Sequence, residues 1–170
     1  GIRDKLVTGV QTCALPISEE LAFTRNTTES LNIVIMGTRW QPGDEVIIGN
    51  QDYGSMVEAF EQAAARWGIV IKMADVPKDP RSDAEIVNAY VDLITPNTKM
   101  LHLTHMINLS GQLIPAQTII RQAKQKQPQI VVAVDAAHSL AHTPVDMSDL
   151  VNAGADTIGD RKSTRLNSSH

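Results

Sequence analysis

Residues 130–138 read Ile-Val-Val-Ala-Val-Asp-Ala-Ala-His, and this stretch decides the fold class. Its first five residues are all apolar and four of them are β-branched, which predicts a buried strand over residues 130–134. A carboxylate follows at once at Asp135, and an imidazole follows three residues later at His138. A continuous apolar strand with polar residues just beyond its end is typical of a parallel sheet that helices cover on both faces.

The alternation of strand and helix patterns continues on both sides of this strand. Crossovers of this length favour parallel pairing, so the sequence predicts a doubly wound, mainly parallel α/β sheet. The other strands are predicted at residues 45–49, 69–73, 100–104 and from 156. The helices are predicted at residues 29–36, 55–67, 82 to about 94, from 115, and 146–152.

Local signals predict where several helices begin and end. Ser82 and Glu85 have the spacing of a capping box, in which each side chain accepts the other residue's backbone N–H. Pro115 is predicted at the first helical position, where its missing N–H costs nothing. Gly68 and Gly154 are predicted to follow helix C-termini.

The composition is that of a globular protein with one domain, or one large fragment of a bigger domain. The 170 residues are 42% hydrophobic and 20% charged, with a net charge of -4. No basic stripe is available for nucleic-acid phosphates, and no apolar run approaches the ~20 residues of a membrane span. The single cysteine, Cys13, rules out an intramolecular disulfide.

The two ends of the chain read differently from its middle. Residues 1–17 show no helical or strand period, and residues 160–170 contain one large apolar residue, Leu166. Both stretches resemble translated sequencing-adapter read-through, so we interpret them as a non-native leader and a non-native tail. The remaining segment, residues 18–159, has 10 basic and 17 acidic residues and no cysteine, which predicts a cytoplasmic protein.

Ligands of parallel α/β sheets bind beyond the carboxyl ends of the strands, which makes Asp135 and His138 candidate site residues. A partly desolvated carboxylate is costly unless a cation pairs with it, and a protonated heteroaromatic nitrogen would serve. Ala136 and Ala137 leave room for a flat ring. An aspartate that caps the next turn beside a satisfied histidine explains the same residues equally well.

Four more candidate residues lie at three places, one at the start of a predicted helix and two after predicted strands. Thr27 and Thr28 open a helix whose free N–H groups suit an anion, although a plain N-cap is the more common use of threonine there. Tyr53 follows a strand and could stack on a ligand ring or pack at a rim. Asn108 could hydrogen-bond a ring substituent or serve only turn chemistry.

Four segments, taken together and in their order along the chain, resemble the class-V aminotransferase family of pyridoxal-phosphate (PLP) enzymes. AFTRNTTESLN (22–32), QPGDEVI (41–47) and QDYGSM (51–56) are most similar to the isopenicillin-N epimerase-like branch. VDAAHS (134–139) is similar to the DxAQ or DxAH element of that branch and of cysteine desulfurases. The resemblance implies that residues 18–159 form part of the large PLP-binding domain of a fold-type I transferase.

The resemblance also assigns roles in holding PLP. Thr27 and Thr28 match the phosphate cup, and Tyr53 matches the aromatic residue that stacks on the cofactor ring, which is a histidine in cysteine desulfurases. Asp135 matches the carboxylate that pairs with the pyridine nitrogen.

Two further residues match positions near the phenolic oxygen of the ring, Asn108 and His138. The implied substrate is a small amino acid or amine, and the implied full-length assembly is a homodimer without nucleic-acid or membrane partners. Epimerisation, transamination, lyase and desulfuration chemistry share this half of the fold, so the subtype stays open.

The family's Schiff-base lysine follows the strand that starts near Asp156, in a Ser-x-His-Lys context. Here Lys162 follows Arg161 instead of histidine, so no catalytic residue is assigned. We expect the chain as printed to hold PLP weakly and to be inactive.

Two alternatives remain open. Asp135, His138 and His142 have the D-x-x-H-x-x-x-H spacing of some zinc sites and suggest a metal-dependent hydrolase, although the Thr-Pro pair after His142 argues against a continued helix. His102 and His105, on and after a strand, point in different directions and form a poor metal pair. The second alternative is a non-catalytic α/β binding domain, in which no G-x-G-x-x-G turn supports a dinucleotide.

Overall fold

The computed structural model describes residues 21–139, 142–143, 147–160 and 163–166. Its strands are β1 (Leu21–Phe23), β2 (Glu45–Gly49), β3 (Val70–Ala74), β4 (Thr98–Thr104), β5 (Val131–Asp135), β6 (Thr157–Gly159) and β7 (Ser163–Leu166). Its helices are α1 (Thr27–Gly37), α2 (Gly54–Trp67), α3 (Asp83–Val91), α4 (Ala116–Lys126) and α5 (Met147–Ala153).

These strands form one sheet in the order β1-β7-β6-β5-β4-β2-β3. Pairing is parallel from β3 through to β6, and antiparallel where β7 lies between β6 and β1. The predicted doubly wound, mainly parallel α/β sheet is therefore confirmed. No helix in the described part of the chain has both the length and the apolar character needed to cross a membrane.

Two apolar layers cover the sheet. One packs α1 and α2 on it through side chains such as Leu31, Met56 and Phe60. The other packs α3, α4 and α5 through side chains such as Tyr90 and Ile119. Burying each large aliphatic side chain contributes roughly 1.5–3 kcal/mol, so the two layers together hold the helices on the sheet.

Strand β4 shows how the sheet divides its residues between these layers. Leu101 and Leu103 belong to the α3–α5 layer, whereas Met100 belongs to the α1–α2 layer. Successive side chains on a strand point to opposite faces, so His102 and Thr104 share the face of Met100. A histidine and a threonine are thereby buried on the α2 side of the strand, next to Met100.

The predicted ends of helices have mixed outcomes. Gly68 ends α2 with a φ of 69°, as expected for a left-handed C-cap. Pro115 lies one residue before α4 and not at its first position. The reciprocal capping box is wrong: the Ser82 side chain makes no cap hydrogen bond, and Glu85 Oε2 instead accepts the N–H of Arg81 at 3.1 Å. The carboxylate satisfies a free donor one residue earlier.

The end of β5 differs from its prediction by one residue, and the shift matters for the site. Asp135 is the last residue of the strand and pairs with Thr104 of β4 and with Gly159 of β6. Its carbonyl oxygen accepts the N–H of His105 at 2.9 Å. The sheet therefore fixes the backbone of Asp135, and its carboxylate projects from the last residue of the strand.

The segment predicted to be a non-native tail contributes to the sheet. Asp160 is buried, and Ser163–Leu166 forms β7. Strand pairing uses backbone groups that every residue except proline carries in full, so the position of β7 does not test whether these residues are native. The division into 1–17, 18–159 and 160–170 stays a prediction, and residues 1–17 lie outside the described part.

Candidate functional site

A pocket of about 170 Å³ lies at the carboxyl end of the sheet, against the N-terminal ends of α1 and α2. Its lining residues are Asn26, Thr27, Thr28, Leu31, Tyr53, Met56, Asp135, Ala137 and His138. Five of the six predicted site residues are thus brought together from three separate segments of the chain. Asp135, which ends β5, and the two threonines line the same cavity. A single ligand can therefore contact all three residues.

The N-terminus of α1 forms one wall of this pocket. Asn26 is the N-cap, and its Oδ1 accepts the N–H of Glu29 at 2.8 Å, so neither threonine is used as the cap. The Thr27 hydroxyl donates to the carbonyl oxygen of Asp160 at 2.6 Å, a buried bond that ties the helix to the end of β6. Thr28 is half-buried and lines the pocket beside the positive end of the helix.

Asp135 also lines the pocket and is only 7% exposed. Its Oδ1 accepts the N–H of Ala137 at 2.9 Å. Burial raises the pKa of this carboxyl and outweighs the opposing effects of His102, of the Ala137 N–H and of His138. A buried carboxylate in this condition is stabilised by a cation, so the site suits a protonated ring nitrogen.

Tyr53 and His138 complete the lining that a flat ring would contact. Tyr53 precedes the first residue of α2 and is 48% exposed, so its ring stands at the mouth of the pocket. His138 is half-buried and lies in the turn after β5, beyond the small side chain of Ala137. The pocket therefore combines an aromatic ring, an imidazole and an acid.

Asn108 does not line the pocket. It is exposed in a turn that Gly111 closes with a φ of 71°, and the Gly111 N–H donates to the carbonyl oxygen of Ile107 at 2.8 Å. This geometry matches the turn chemistry that the sequence also allowed, and a role for Asn108 near the phenolic oxygen stays a prediction.

Beneath the pocket lies a buried acid–histidine pair that sequence reasoning missed. Asp52 Oδ2 lies 3.0 Å from Nδ1 of His102, and the two side chains are 0% and 1% exposed. The same Oδ2 accepts the N–H of Gly49 at 2.8 Å. The ring of Phe60 meets the His102 imidazole edge-on, with 5.5 Å between centroids.

A signal for this pair was present in the sequence. In strand β4 one histidine lies between two leucines, and an aspartate follows β2, the neighbouring strand. Burying a histidine within a sheet is costly unless a partner is present, so a nearby acid was to be expected. Only the crossover order shows that β2 and β4 are adjacent.

The alternative metal site does not form. Among the residues that the structure describes, no group of three or more His, Cys, Asp or Glu side chains is arranged to hold a metal ion. The backbone after Asp135 makes successive turns, with the N–H of Ser139 bonded to Ala136 and that of His142 bonded to Ser139. His138 and His142 therefore do not share the face of a continuous helix.

The fold and the pocket define an α/β protein with a ligand site at the carboxyl end of a mainly parallel sheet. Residues 11–158 match the family model described as Aminotransferase class-V. The chain belongs to this family.

Curated relatives carry two kinds of name. A cysteine desulfurase of Pectobacterium atrosepticum is 30% identical over 152 residues, which cover 88% of this chain and 35% of the relative. An isopenicillin N epimerase of Streptomyces clavuligerus is 27% identical over 128 residues, covering 75% of this chain and 32% of the relative. The chain thus spans about a third of the length of these relatives.

Solved structures share the fold. The cystine C-S lyase C-DES, in complex with its reaction product cysteine persulfide, superimposes with a TM-score of 0.79 at 22% identity, covering 88% of this chain and 42% of that one. The cysteine desulfurase CsdA of Escherichia coli gives a TM-score of 0.78 at 23% identity, covering 97% of this chain and 42% of that one.

Proposed function

We propose that this chain is the cofactor-holding part of a PLP-dependent enzyme that acts on a small amino acid or amine. The observation that carries the proposal is that Asp135 and the Thr27–Thr28 pair line one pocket. Family membership supports PLP as the ligand. A mutant of C-DES has glycine covalently linked to its PLP cofactor, which supports an amino-acid substrate.

The α1 end of the pocket binds the phosphate. The first N–H groups of a helix and its positive end attract anions, and Thr28 adds a hydroxyl donor. Thr27 contributes through its backbone, because its hydroxyl proton is already donated to Asp160. The hydroxyl bond of Thr27 therefore positions the helix end and is not itself a ligand contact.

Asp135 orients the ring and keeps its nitrogen protonated. PLP supplies, when bound, an electron-accepting ring that takes up negative charge formed at the substrate's Cα. The carboxylate of Asp135 holds the ring proton at the nitrogen, because a buried acid gains most from pairing with a cation. Tyr53 would cover a face of the ring, and His138 would contact its phenolic oxygen.

We propose no lysine of this chain as the residue that anchors PLP. No lysine appears among the described residues that line the pocket, and Lys162 lies outside the described part. We therefore expect reversible, non-covalent PLP binding and no turnover by these 170 residues alone. The whole enzyme is proposed as a cytoplasmic homodimer, and its reaction is of the epimerase, transaminase, lyase or desulfurase type.

PLP binding by the 170-residue chain tests the proposal. We expect saturable binding, followed by intrinsic tryptophan fluorescence, and about 30-fold or more weaker binding by Asp135→Ala, because truncating one partner of a buried charge pair costs about 2–5 kcal/mol.

Asp44→Ala is the matched control, because Asp44 pairs with Lys99 at the opposite end of the sheet. Its PLP affinity should equal that of the unmodified chain. Absence of PLP binding by a folded unmodified chain would contradict the proposal and leave the non-catalytic α/β domain as the better explanation.

A further inference from the structure

We propose that Asp52 and His102 form a buried ion pair whose positive member keeps Asp135 ionised, which makes both of them positioning residues for the cationic ring nitrogen. The inference deepens the proposed function and rests on it for the identity of the ligand. The coupling between His102 and Asp135 is a property of the chain alone and can be measured without any ligand.

The geometry first establishes the pair. Asp52 Oδ2 accepts from two directions, from the Gly49 N–H at 2.8 Å and from the His102 ring at 3.0 Å. Neither side chain is measurably in contact with solvent. A buried carboxylate is stable only when paired and hydrogen-bonded, and the imidazolium of His102 supplies both a charge and a donor.

The sheet then brings His102 close to Asp135. Strands β4 and β5 are neighbours, with Thr104 opposite Asp135 and His102 opposite Ala133. Adjacent strands lie about 4.8 Å apart, and His102 and Asp135 project from the same face two residues out of register. The diagonal neighbour of Asp135 on β4, two residues before Thr104, is therefore an imidazole and not an aliphatic side chain.

The charges that face His102 favour its protonated form. Burial by itself lowers the pKa of His102, but the charge of Asp52, the hydrogen bond to it and the charge of Asp135 together raise it. Phe60 from α2 is neutral. Tyr90 from α3 faces Asp52 and stays a neutral phenol, because burial, together with the Asp52 charge, raises its pKa well above the ordinary value.

In the described part of the chain, buried polar atoms without hydrogen-bond partners occur in and around the Asp52–His102 pair, which indicates a role in electrostatics and not in packing. Nε2 of His102, Oδ1 of Asp52, the Tyr90 hydroxyl and the Thr104 hydroxyl are all buried without a hydrogen-bond partner among the described residues. Each such group costs stability, so a cluster of them that includes both members of the Asp52–His102 pair calls for an explanation other than packing. The role that we assign to the Asp52–His102 pair is to hold a positive charge close to Asp135.

Nitrogen-15 NMR of the histidine rings in the 170-residue chain, without PLP, tests the coupling. The His102→Gln spectrum assigns the resonance. We expect His102 to titrate above 6.5, with its pKa lowered by about one unit or more in Asp52→Asn and lowered also in Asp135→Asn. Asp44→Asn, far from the pair, should leave the titration unchanged.

The PLP-binding pH profile tests the positioning role. Loss of the His102 charge raises the pKa of Asp135, so the acid limb of the affinity profile should move up by about one pH unit in His102→Gln. His102→Asn should move it in the same direction, which keeps the test usable if His102→Gln does not fold; Asp52→Asn does not serve here, because the Asp52 charge itself raises the pKa of Asp135.

The possible results separate the two proposals. A His102 that titrates at or below 6.5, or that is unaffected in Asp135→Asn, overturns the ion-pair inference. An unchanged acid limb in both folded variants overturns the positioning role. A folded unmodified chain that binds no PLP overturns the proposed function, while the ligand-free titration still decides whether His102 keeps Asp135 ionised.

Discussion

At the scale of single residues, neighbouring threonines have different uses. Both line the pocket, but the Thr27 hydroxyl is spent on the Asp160 carbonyl and is buried, whereas Thr28 is half-buried and makes no described side-chain bond. The sequence predicted one function for both, because the two residues are identical and adjacent. The structure gives the Thr27 hydroxyl a structural bond, and only Thr28 remains a candidate to donate its hydroxyl to a ligand.

Thr27→Val and Thr28→Val therefore give opposite results. Thr27→Val removes the buried hydrogen bond from the Thr27 hydroxyl to the Asp160 carbonyl oxygen and should lower the free energy of unfolding by about 1–3 kcal/mol. Thr28→Val should leave stability nearly unchanged and weaken PLP binding about ten-fold or more, since one hydrogen bond to a charged group is worth about 1.5–3 kcal/mol. Denaturant unfolding and fluorescence titration measure the two effects.

Pyridoxal, which has no phosphate, is the control ligand for Thr28→Val. Its affinity should be the same for the variant and for the unmodified chain. Equal losses for pyridoxal and for PLP would mean that Thr28 does not contact the phosphate.

At the scale of elements, the close approach of strand β2 to helix α3 positions the buried pair. A Cβ added at Gly49, the last residue of β2, would lie 2.5 Å from the Tyr90 hydroxyl and 3.0 Å from Asp52 Oδ1. Only glycine leaves room for Asp52 to turn back over the strand end. The prediction placed a strand end here without any reason for glycine, because the contact comes from a helix about 40 residues further along the chain.

Gly49→Ala should disturb this arrangement. We expect a loss of about 1–3 kcal/mol in the free energy of unfolding, typical of an overpacked site, and a lowered pKa of His102, because Asp52 must move. Thermal unfolding and histidine NMR measure both quantities. Gly37→Ala is the control, since an added Cβ meets nothing within 4 Å there, and a comparable loss in that variant would refute the explanation.

At the scale of the whole molecule, buried titratable groups link stability to pH. The pKa of His102 is raised above its ordinary value of 6.5 in the folded chain, so the folded state binds its proton more tightly than the unfolded state does. The stabilisation is fully present below pH 6.5 and is lost as the pH rises through the folded pKa.

The midpoint of thermal unfolding should follow this sign. The difference between the unmodified chain and His102→Gln should be largest below pH 6.5 and should shrink at higher pH. Each unit of raised pKa corresponds to about 1.4 kcal/mol, or roughly 3–6 °C in a chain of this size. A difference that grows with pH would show that His102 is neutral in the folded chain.

The sequence by itself determined the class of fold and most of the pocket. Apolar strands that alternate with amphipathic helices have few stable arrangements, so the parallel core of the sheet followed from local patterns. The polar residues at the strand ends were also readable, because parallel strands place those ends along one edge.

Only the tertiary structure decided which of these residues meet. Asn108 lies in an exposed turn, and the Thr27 hydroxyl makes a structural bond. Asp52, which follows β2, pairs with His102 of the neighbouring strand β4. Such contacts depend on which strands become neighbours and on distances between segments far apart in the chain. A local pattern contains no information about either. The sequence therefore showed which polar residues lie at strand ends, and only the fold determined which residues they contact.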